Sequence, residues 1–329
     1  MLALCKGDCK RPLFGVFLLL GLVCLLFVRA PMAGGAQAAV TVRPAAQAIA
    51  SAHPLATAAG MEILDAGGNA FDAAVAVSAA LAVVEPYSSG IGGGGFWLLH
   101  RVEDGKQVML DGRERAPLAA HRQLYVDESG EVNHAASLEG ALAAGIPGEP
   151  AALVHLAEHY GRLSLARLLA PAIRLAEEGF EVDEHFRKMA RFRLELLRRY
   201  PSTAAIFLQD NEVPALGARI VQAELAATLR SLASEGNAGF YQGKVARKLV
   251  QGVRAAGGIW TLQDLDQYRV VERQPIVFRY RDLQVVSAAP PSSGGVALAT
   301  MLHILEGWDL ERLDTVTRTH VVVEAMRRA

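Results

Sequence analysis

Between Asp72 and Val84 the sequence reads Asp-Ala-Ala-Val-Ala-Val-Ser-Ala-Ala-Leu-Ala-Val-Val, and Glu85-Pro86 ends the run. This is a helix pattern, almost entirely alanine, valine and leucine, with no polar face. A helix that is apolar all round is a buried one. The domain that contains it must therefore place packed layers on both sides of it, and the rest of the chain has to supply them.

The flanking patterns are of two kinds. Leu55 to Asp65 has apolar residues at helical spacing and stops at Gly67-Gly68, a helix C-terminal signal. After the buried helix come the glycines of Gly90-Ile91-Gly92-Gly93-Gly94-Gly95, then Phe96 to His100, which reads as a strand. Asp104-Gly105 is a hairpin signal, with Gln107 to Asp111 as the returning strand. Arg113 thus falls just past a strand end, where a rigid scaffold commonly presents site residues. Residues 138 to 232 read as mostly helical, with breaks at Pro147-Gly148, Gly161, Gly179 and Pro201. A helix from about Val245 closes at Gly257-Gly258, a second hairpin spans Ile276 to Ser287, and a helix follows Gly294-Gly295. A last helix pattern covers Arg318 to Ala329. The mixture predicts an α+β fold.

The N-terminus carries an export signature. Lys6, Lys10 and Arg11 precede an uncharged, mostly apolar run from Pro12 to Val28, and Ala36-Gln37-Ala38 is a small-residue cleavage site. Residues 1–38 are expected to be a signal peptide and 39–329 the mature domain, exported to the periplasm or the extracellular space. An uncleaved membrane anchor is the alternative, since seventeen residues is the short end for a span. The three cysteines, Cys5, Cys9 and Cys24, all lie in this leader. The mature part is then free of disulfides and thiolate metal sites. Removing residues 1–38 takes four of 33 basic residues and one of 34 acidic ones, which leaves 29 against 33 and a net charge of −4. No global basic field points to nucleic acid, and a cleaved leader leaves no stable membrane association.

Four patterns invite functional readings that their surroundings do not favour. Gly90-x-Gly92-x-x-Gly95 matches a dinucleotide fingerprint, but that site needs a strand before it and a helix after it, and here the order is reversed. Backbone packing is the simpler account of these glycines, and no cofactor is expected. His155-x-x-Glu158-His159 fits an inverted zinc-protease motif without a marked third ligand, so a solvated helix face explains it as well. The basic helix pattern from Phe186 to Arg199 reads as a solvated outer face with apolar partners at Phe186, Met189, Phe192 and Leu196. Thr319-His320 reads as helix surface, because nothing would free that threonine as a chain terminus.

One ordered series remains. It runs Ala59-Gly60-Met61 through Gly67-Gly68-Asn69-Ala70-Phe71-Asp72-Ala73-Ala74, Glu85-Pro86-Tyr87-Ser88-Ser89 with the glycines after it, and Asp111-Gly112-Arg113-Glu114-Arg115-Ala116-Pro117. Gly145-Ile146-Pro147-Gly148-Glu149, Phe240-Tyr241-Gln242-Gly243 and Pro290-Pro291-Ser292-Ser293-Gly294-Gly295 complete it. In order and spacing the series closely resembles the γ-glutamyltransferase (glutathione hydrolase) family from about Ala48 to Ala329. The resemblance implies an N-terminal-nucleophile hydrolase with a four-layer αββα sandwich, here incomplete. It implies a precursor that cleaves itself before a threonine, whose hydroxyl then takes the γ-glutamyl group of glutathione or a related amide. The acyl group passes to water or to an acceptor amino acid or peptide.

Arg113 matches the family arginine that grips the α-carboxylate of the donor, a task suited to a guanidinium fork. A plain ion pair of Arg113 with Glu114 or Asp111 is the alternative reading. Gly112 stands where the motif often has Phe, which leaves related acylases and amidohydrolases open. So does a non-catalytic binding protein on the same scaffold. The family's Thr-Thr-His-x-Ser/Thr processing site is expected downstream of the helix holding His320, Glu324 and Ala325. None of Thr300, Thr315, Thr317 or Thr319 has that context, so no catalytic residue is assigned, and the nucleophile is expected on a small-subunit segment outside this stretch.

Overall fold

Helix α1 (Pro54–Asp65) and helix α2 (Ala70–Val84) are joined by a turn in which Gly67 takes φ +90°, a conformation that side chains disfavour. They belong to a computed structural model that describes residues 47–329. The expected signal peptide lies outside the described residues. Among the described residues no helix is long and apolar enough to cross a membrane.

α2 starts two residues before the expected Asp72, because Asn69 and Asp72 form a reciprocal capping box. The Asn69 side chain accepts from the amides of Phe71 and Asp72, and Asp72 accepts from the amide of Asn69 at 2.8 Å. The Asp72 carboxylate is fully buried and also accepts from the amides of Arg162 and Leu163. Asn69 donates to the carbonyl of Tyr160 at 2.7 Å. One motif thus starts a buried helix and ties it to a turn some ninety residues away.

Strand β1 (Gly95–Arg101) turns at Asp104-Gly105 into antiparallel β2 (Lys106–Gly112), as the hairpin signal predicts. A short helix α3 (His134–Leu138) lies in the long connection to α4 (Glu149–His159). Next come α5 (Leu165–Glu178), the two-residue strand β3 (Phe180–Glu181), α6 (Glu184–Phe192), α7 (Leu194–Arg199) and α8 (Pro201–Phe207). β4 (Arg219–Ile220) pairs with β3, and α9 (Ala223–Glu235), α10 (Ala238–Tyr241), α11 (Gly243–Ala255) and α12 (Leu262–Asp266) follow. β5 (Val271–Arg273) adds to the free edge of β2, giving the order β1-β2-β5. The expected second hairpin is β6 (Ile276–Tyr280) and β7 (Leu283–Ser287), turning at Arg281 with φ +53°. Helices α13 (Gly294–Glu306) and α14 (Thr315–Arg328) complete the chain.

The fold is α+β. The core is continuous from α2, which packs against α1, α4 and α5, to the buried strand β2 beneath α4. α13 backs the β6–β7 hairpin and pairs with α14. These are two helix-on-sheet units, the components that an αββα sandwich needs.

Three expectations change. Phe186 to Arg199 is two helices rather than one, because Arg193 ends α6 with its amide shared between the carbonyls of Met189 and Ala190. Phe192, expected to pack, is 71% exposed as a result. The strands β3 and β4 carry no readable pattern at two residues each. α14 begins at Thr315 rather than Arg318, because Asp314 caps it through the amides of Val316 and Thr317.

His155 is more than a solvated face. Its Nε2 lies 3.1 Å from Glu272 of β5, and its ring stacks on His159. Glu272 also accepts from the Tyr160 hydroxyl and from Lys106 Nζ. Burial opposes the charge on Glu272, yet the bonds from Tyr160, His155 and Lys106 outweigh it and hold the carboxyl at about 2. A depressed carboxyl stabilises the fold above its unfolded value, and that stability is lost as pH falls from the ordinary 4.5 toward 2. Glu272→Gln is therefore expected to lower the melting temperature by a few degrees at pH 7. The difference from wild type should shrink between pH 4.5 and 3 in a thermal-melt series; a constant difference would refute the network.

Candidate functional site

Three of the motif segments, the glycine-rich turn, residues 111–117 and residues 145–149, meet at one backbone junction. Gly93 in the glycine-rich turn accepts from the amides of Gly148 and Glu149 at 2.8 and 3.0 Å. A Cβ on Gly94 or on Gly148 would overlap the carbonyl oxygen of Gly112. Arg115 and Ile146 exchange backbone hydrogen bonds of 3.1 and 2.7 Å. The end of β2, the glycine turn and the start of α4 can approach this closely only because the contact positions lack side chains. The packing expected of the fingerprint glycines falls instead on Gly94, since Gly90 and Gly92 face open space.

Two tyrosines brace the junction. Tyr241 donates to the carbonyl of Pro147 at 2.8 Å and accepts from the amide of Ala151. Tyr268 donates to the carbonyl of Arg113 at 2.7 Å, and the two rings stack at 5.5 Å and 7°. Burial pushes the Tyr241 phenol far above its ordinary value and Tyr268 up to about 12, so both remain neutral donors. The Phe240-Tyr241-Gln242-Gly243 motif is thereby explained as a brace for Pro147-Gly148. Tyr268 carries no motif and is not recognisable in the sequence.

Arg113 follows β2 directly. Asp111 is buried and accepts from the Arg113 amide at 3.0 Å and from Arg273 Nε at 2.8 Å. Of the two ion pairs open to the Arg113 side chain, the one formed is with Glu114, at 3.0 Å from Nε; Asp111 takes Arg273. The Arg113 side chain is 56% exposed, and its two terminal nitrogens have no hydrogen-bond partner among the described residues. Its guanidinium carbon lies 5.7 Å from the Phe96 ring centroid, within cation–π range. The backbone is thus fixed from both sides, while the charged tip faces outward. That arrangement can bind a carboxylate by two parallel N–H bonds.

Arg113 borders a small cavity of about 190 Å³, with Arg115, Tyr268, Arg273 and Pro291 among its walls. Pro291 brings the Pro290-Pro291-Ser292-Ser293-Gly294-Gly295 motif to the same place. A larger cleft of about 520 Å³ lies beyond Glu114, lined by Ser88, Ser89, Trp97, Gly93, Glu114 and Glu149. The larger cleft does not reach Arg113; Glu114 is the side chain the two share. Thr319 lies on α14 as its helix-surface reading expects, and its hydroxyl donates to the carbonyl of Thr315. Among the described residues no group of three His, Cys, Asp or Glu side chains could hold a metal ion.

The sequence profile of the gamma-glutamyltranspeptidase family matches residues 56–329. The glutathione hydrolase proenzyme of Pseudomonas sp. (strain A14) is 42% identical over 284 residues, covering 85% of this chain and 49% of that protein. The acylase ACY 1 proenzyme of Pseudomonas sp. (strain V22) is 40% identical over 286 residues, covering 84% and 51%. Helicobacter pylori gamma-glutamyltranspeptidase superposes with a TM-score of 0.83 at 39% identity, over 86% of this chain and 83% of that one. The chain spans about half the length of the curated relatives it matches. With several of its ordered motifs gathered at one junction and these matches over most of its length, the chain belongs to the gamma-glutamyltranspeptidase family, a family of enzymes.

Proposed function

We propose that this chain is the donor-recognition half of an exported enzyme that transfers or hydrolyses γ-glutamyl groups of glutathione and related amides. The observation that carries the reading is Arg113: a guanidinium fixed through its backbone, open at its tip, beside the junction of residues 111–117, residues 145–149 and the glycine turn. Arg113 takes the α-carboxylate of the donor, which displaces Glu114. A threonine on a small-subunit segment, released by self-cleavage, attacks the γ-carbonyl. Its α-amine takes the hydroxyl proton and passes it to the leaving amine as the amide C–N bond breaks, which leaves a γ-glutamyl ester. The acyl ester then passes to water or to the amine of an acceptor amino acid or peptide. The proenzyme names of the curated relatives support the processing step.

Expression together with the downstream small-subunit segment tests this directly. The expected result is two polypeptides on a denaturing gel and release of chromophore from a γ-glutamyl anilide. Residues 39–329 alone should give neither. Absence of both cleavage and product from the longer protein would overturn the reading.

A second reading, an acylase with a different donor, is favoured by Gly112. A Cβ there would collide with Trp97 and Ala152, so the aromatic residue often found at this position has no room. The tryptophan fills that space instead and forms part of the wall of the larger cleft. A glutaryl anilide keeps the carboxylate and lacks the α-amine, so comparing it with the γ-glutamyl anilide separates the two donors.

A further inference from the structure

Glu149 is the first residue of α4, and its side chain lines the larger cleft together with Glu114. Both carboxyl groups face the same short stretch of the glycine turn. Glu114 Oε1 lies 3.3 Å from where a Cβ on Gly93 would be, and Glu149 Oε2 lies 3.9 Å from that position on Gly95. Glu114 has its other oxygen on Arg113 Nε. Glu149 and Glu114 therefore share one cleft, and from Glu114 a hydrogen bond leads on to the guanidinium.

Resting on the γ-glutamyl reading above, we propose that Glu149 is a positioning residue for the carboxylate grip of Arg113, acting through Glu114. The physical reason is local charge. The start of a helix ordinarily favours a carboxylate. Here burial outweighs that preference, with Glu114 adding repulsion, and together they push the Glu149 carboxyl up to about 7. Below that pH Glu149 is neutral and leaves Glu114 free to swing away from Arg113 into the cleft. Above it, the second negative charge confines Glu114 to Arg113 and repels the arriving donor carboxylate.

Several charged groups on the elements packed against α4 are engaged elsewhere. On α2, Asp72 is held by backbone amides. On β2, Asp111 is paired with Arg273 and Lys106 with Glu272. On α5, Arg167 and Arg174 are paired with Glu62. Tyr241 and Tyr87 are kept neutral by burial. Glu114 is the charged neighbour that acts on Glu149.

Two measurements test this. The first uses the chain as it stands and follows thermal stability against pH for wild type and Glu149→Gln. A carboxyl whose folded value is raised costs stability as pH climbs from the ordinary 4.5 to about 7, and no further above it. Wild type should lose stability relative to the variant across that window; parallel curves would overturn the proposal.

The second measures glutarate affinity by calorimetry and, in the self-cleaved enzyme, KM for a γ-glutamyl anilide. Wild type should bind about three- to tenfold more weakly at pH 8 than at pH 6. Glu149→Gln should bind tightly at both, Glu149→Asp should restore the pH dependence, and kcat should stay within about twofold throughout. A Glu149→Gln profile that tracks wild type, or a loss confined to kcat, would refute the positioning role. Glutarate binding that behaves as described in an enzyme without γ-glutamyl turnover would instead count against the donor reading alone.

Discussion

Asp72→Ala is expected to destabilise the chain by about 3–5 kcal/mol, the largest stability loss from any single side chain outside the glycine junction. The carboxylate is fully buried and accepts from the amides of Asn69, Arg162 and Leu163. Alanine would leave those N–H groups unpaired in the interior, and each costs about 1–3 kcal/mol when water cannot replace the partner. A void would be added beside Gly161, whose own missing Cβ is what lets the turn approach Asp72. The loss is a large share of the total stability of about 5–15 kcal/mol expected for a domain. Urea unfolding should show a lowered midpoint with an unchanged slope. Asp72→Asn keeps the shape and one acceptor oxygen, so it should cost roughly half as much. A loss below about 1 kcal/mol for alanine would mean that the loop at Arg162 is held by something else.

This residue also shows where sequence reading succeeds and where it stops. The apolar run after Asp72 is legible because burial on all faces of a helix leaves a compositional trace. Both hairpins are legible because their turns need particular residues, and Asp104-Gly105 supplies them in the first. The role of Asp72 itself was not legible, since its partners at Arg162 and Leu163 are backbone amides with no side-chain signature.

The site divides in the same way. Arg113 and the glycine-bearing motifs could be singled out in the sequence through resemblance to a family. Their convergence could not, because the contacts that build it are between backbone atoms of Gly93, Gly94, Gly112 and Gly148. Tyr268 and Arg273 are not legible for a related reason, and Glu149 is legible as part of a motif but not in its role. Tyr268 and Arg273 each bond a residue far away in sequence, Arg113 for Tyr268 and Asp111 for Arg273. The break at Arg193 and the exposure of Phe192 run against the local helical pattern, which alone predicts a single continuous helix.

In the self-cleaved enzyme, Arg113→Ala is expected to raise KM for γ-glutamyl donors by about 100-fold, with a smaller change in kcat. A grip on the α-carboxylate is made equally in the bound substrate and in the transition state, remote from the bond that breaks, so its loss falls mainly on binding. Arg113→Lys should recover only a small part, because an ammonium restores the charge but not the two parallel bonds. The fold should not suffer: the side chain is half exposed and its one ion pair is with Glu114 at the surface, a contact worth less than about 1 kcal/mol. An unchanged melting temperature with a raised KM is the combination that distinguishes recognition from scaffolding. Unchanged KM would leave Arg113 a surface ion pair and remove the main support for the donor site. The architecture argues against that outcome. Asp111 holds the amide on one side and Tyr268 the carbonyl on the other, so the backbone of Arg113 is among the best anchored at this junction. A fold that only needed a surface cation would have no reason to fix its backbone twice while leaving the terminal nitrogens open to a ligand.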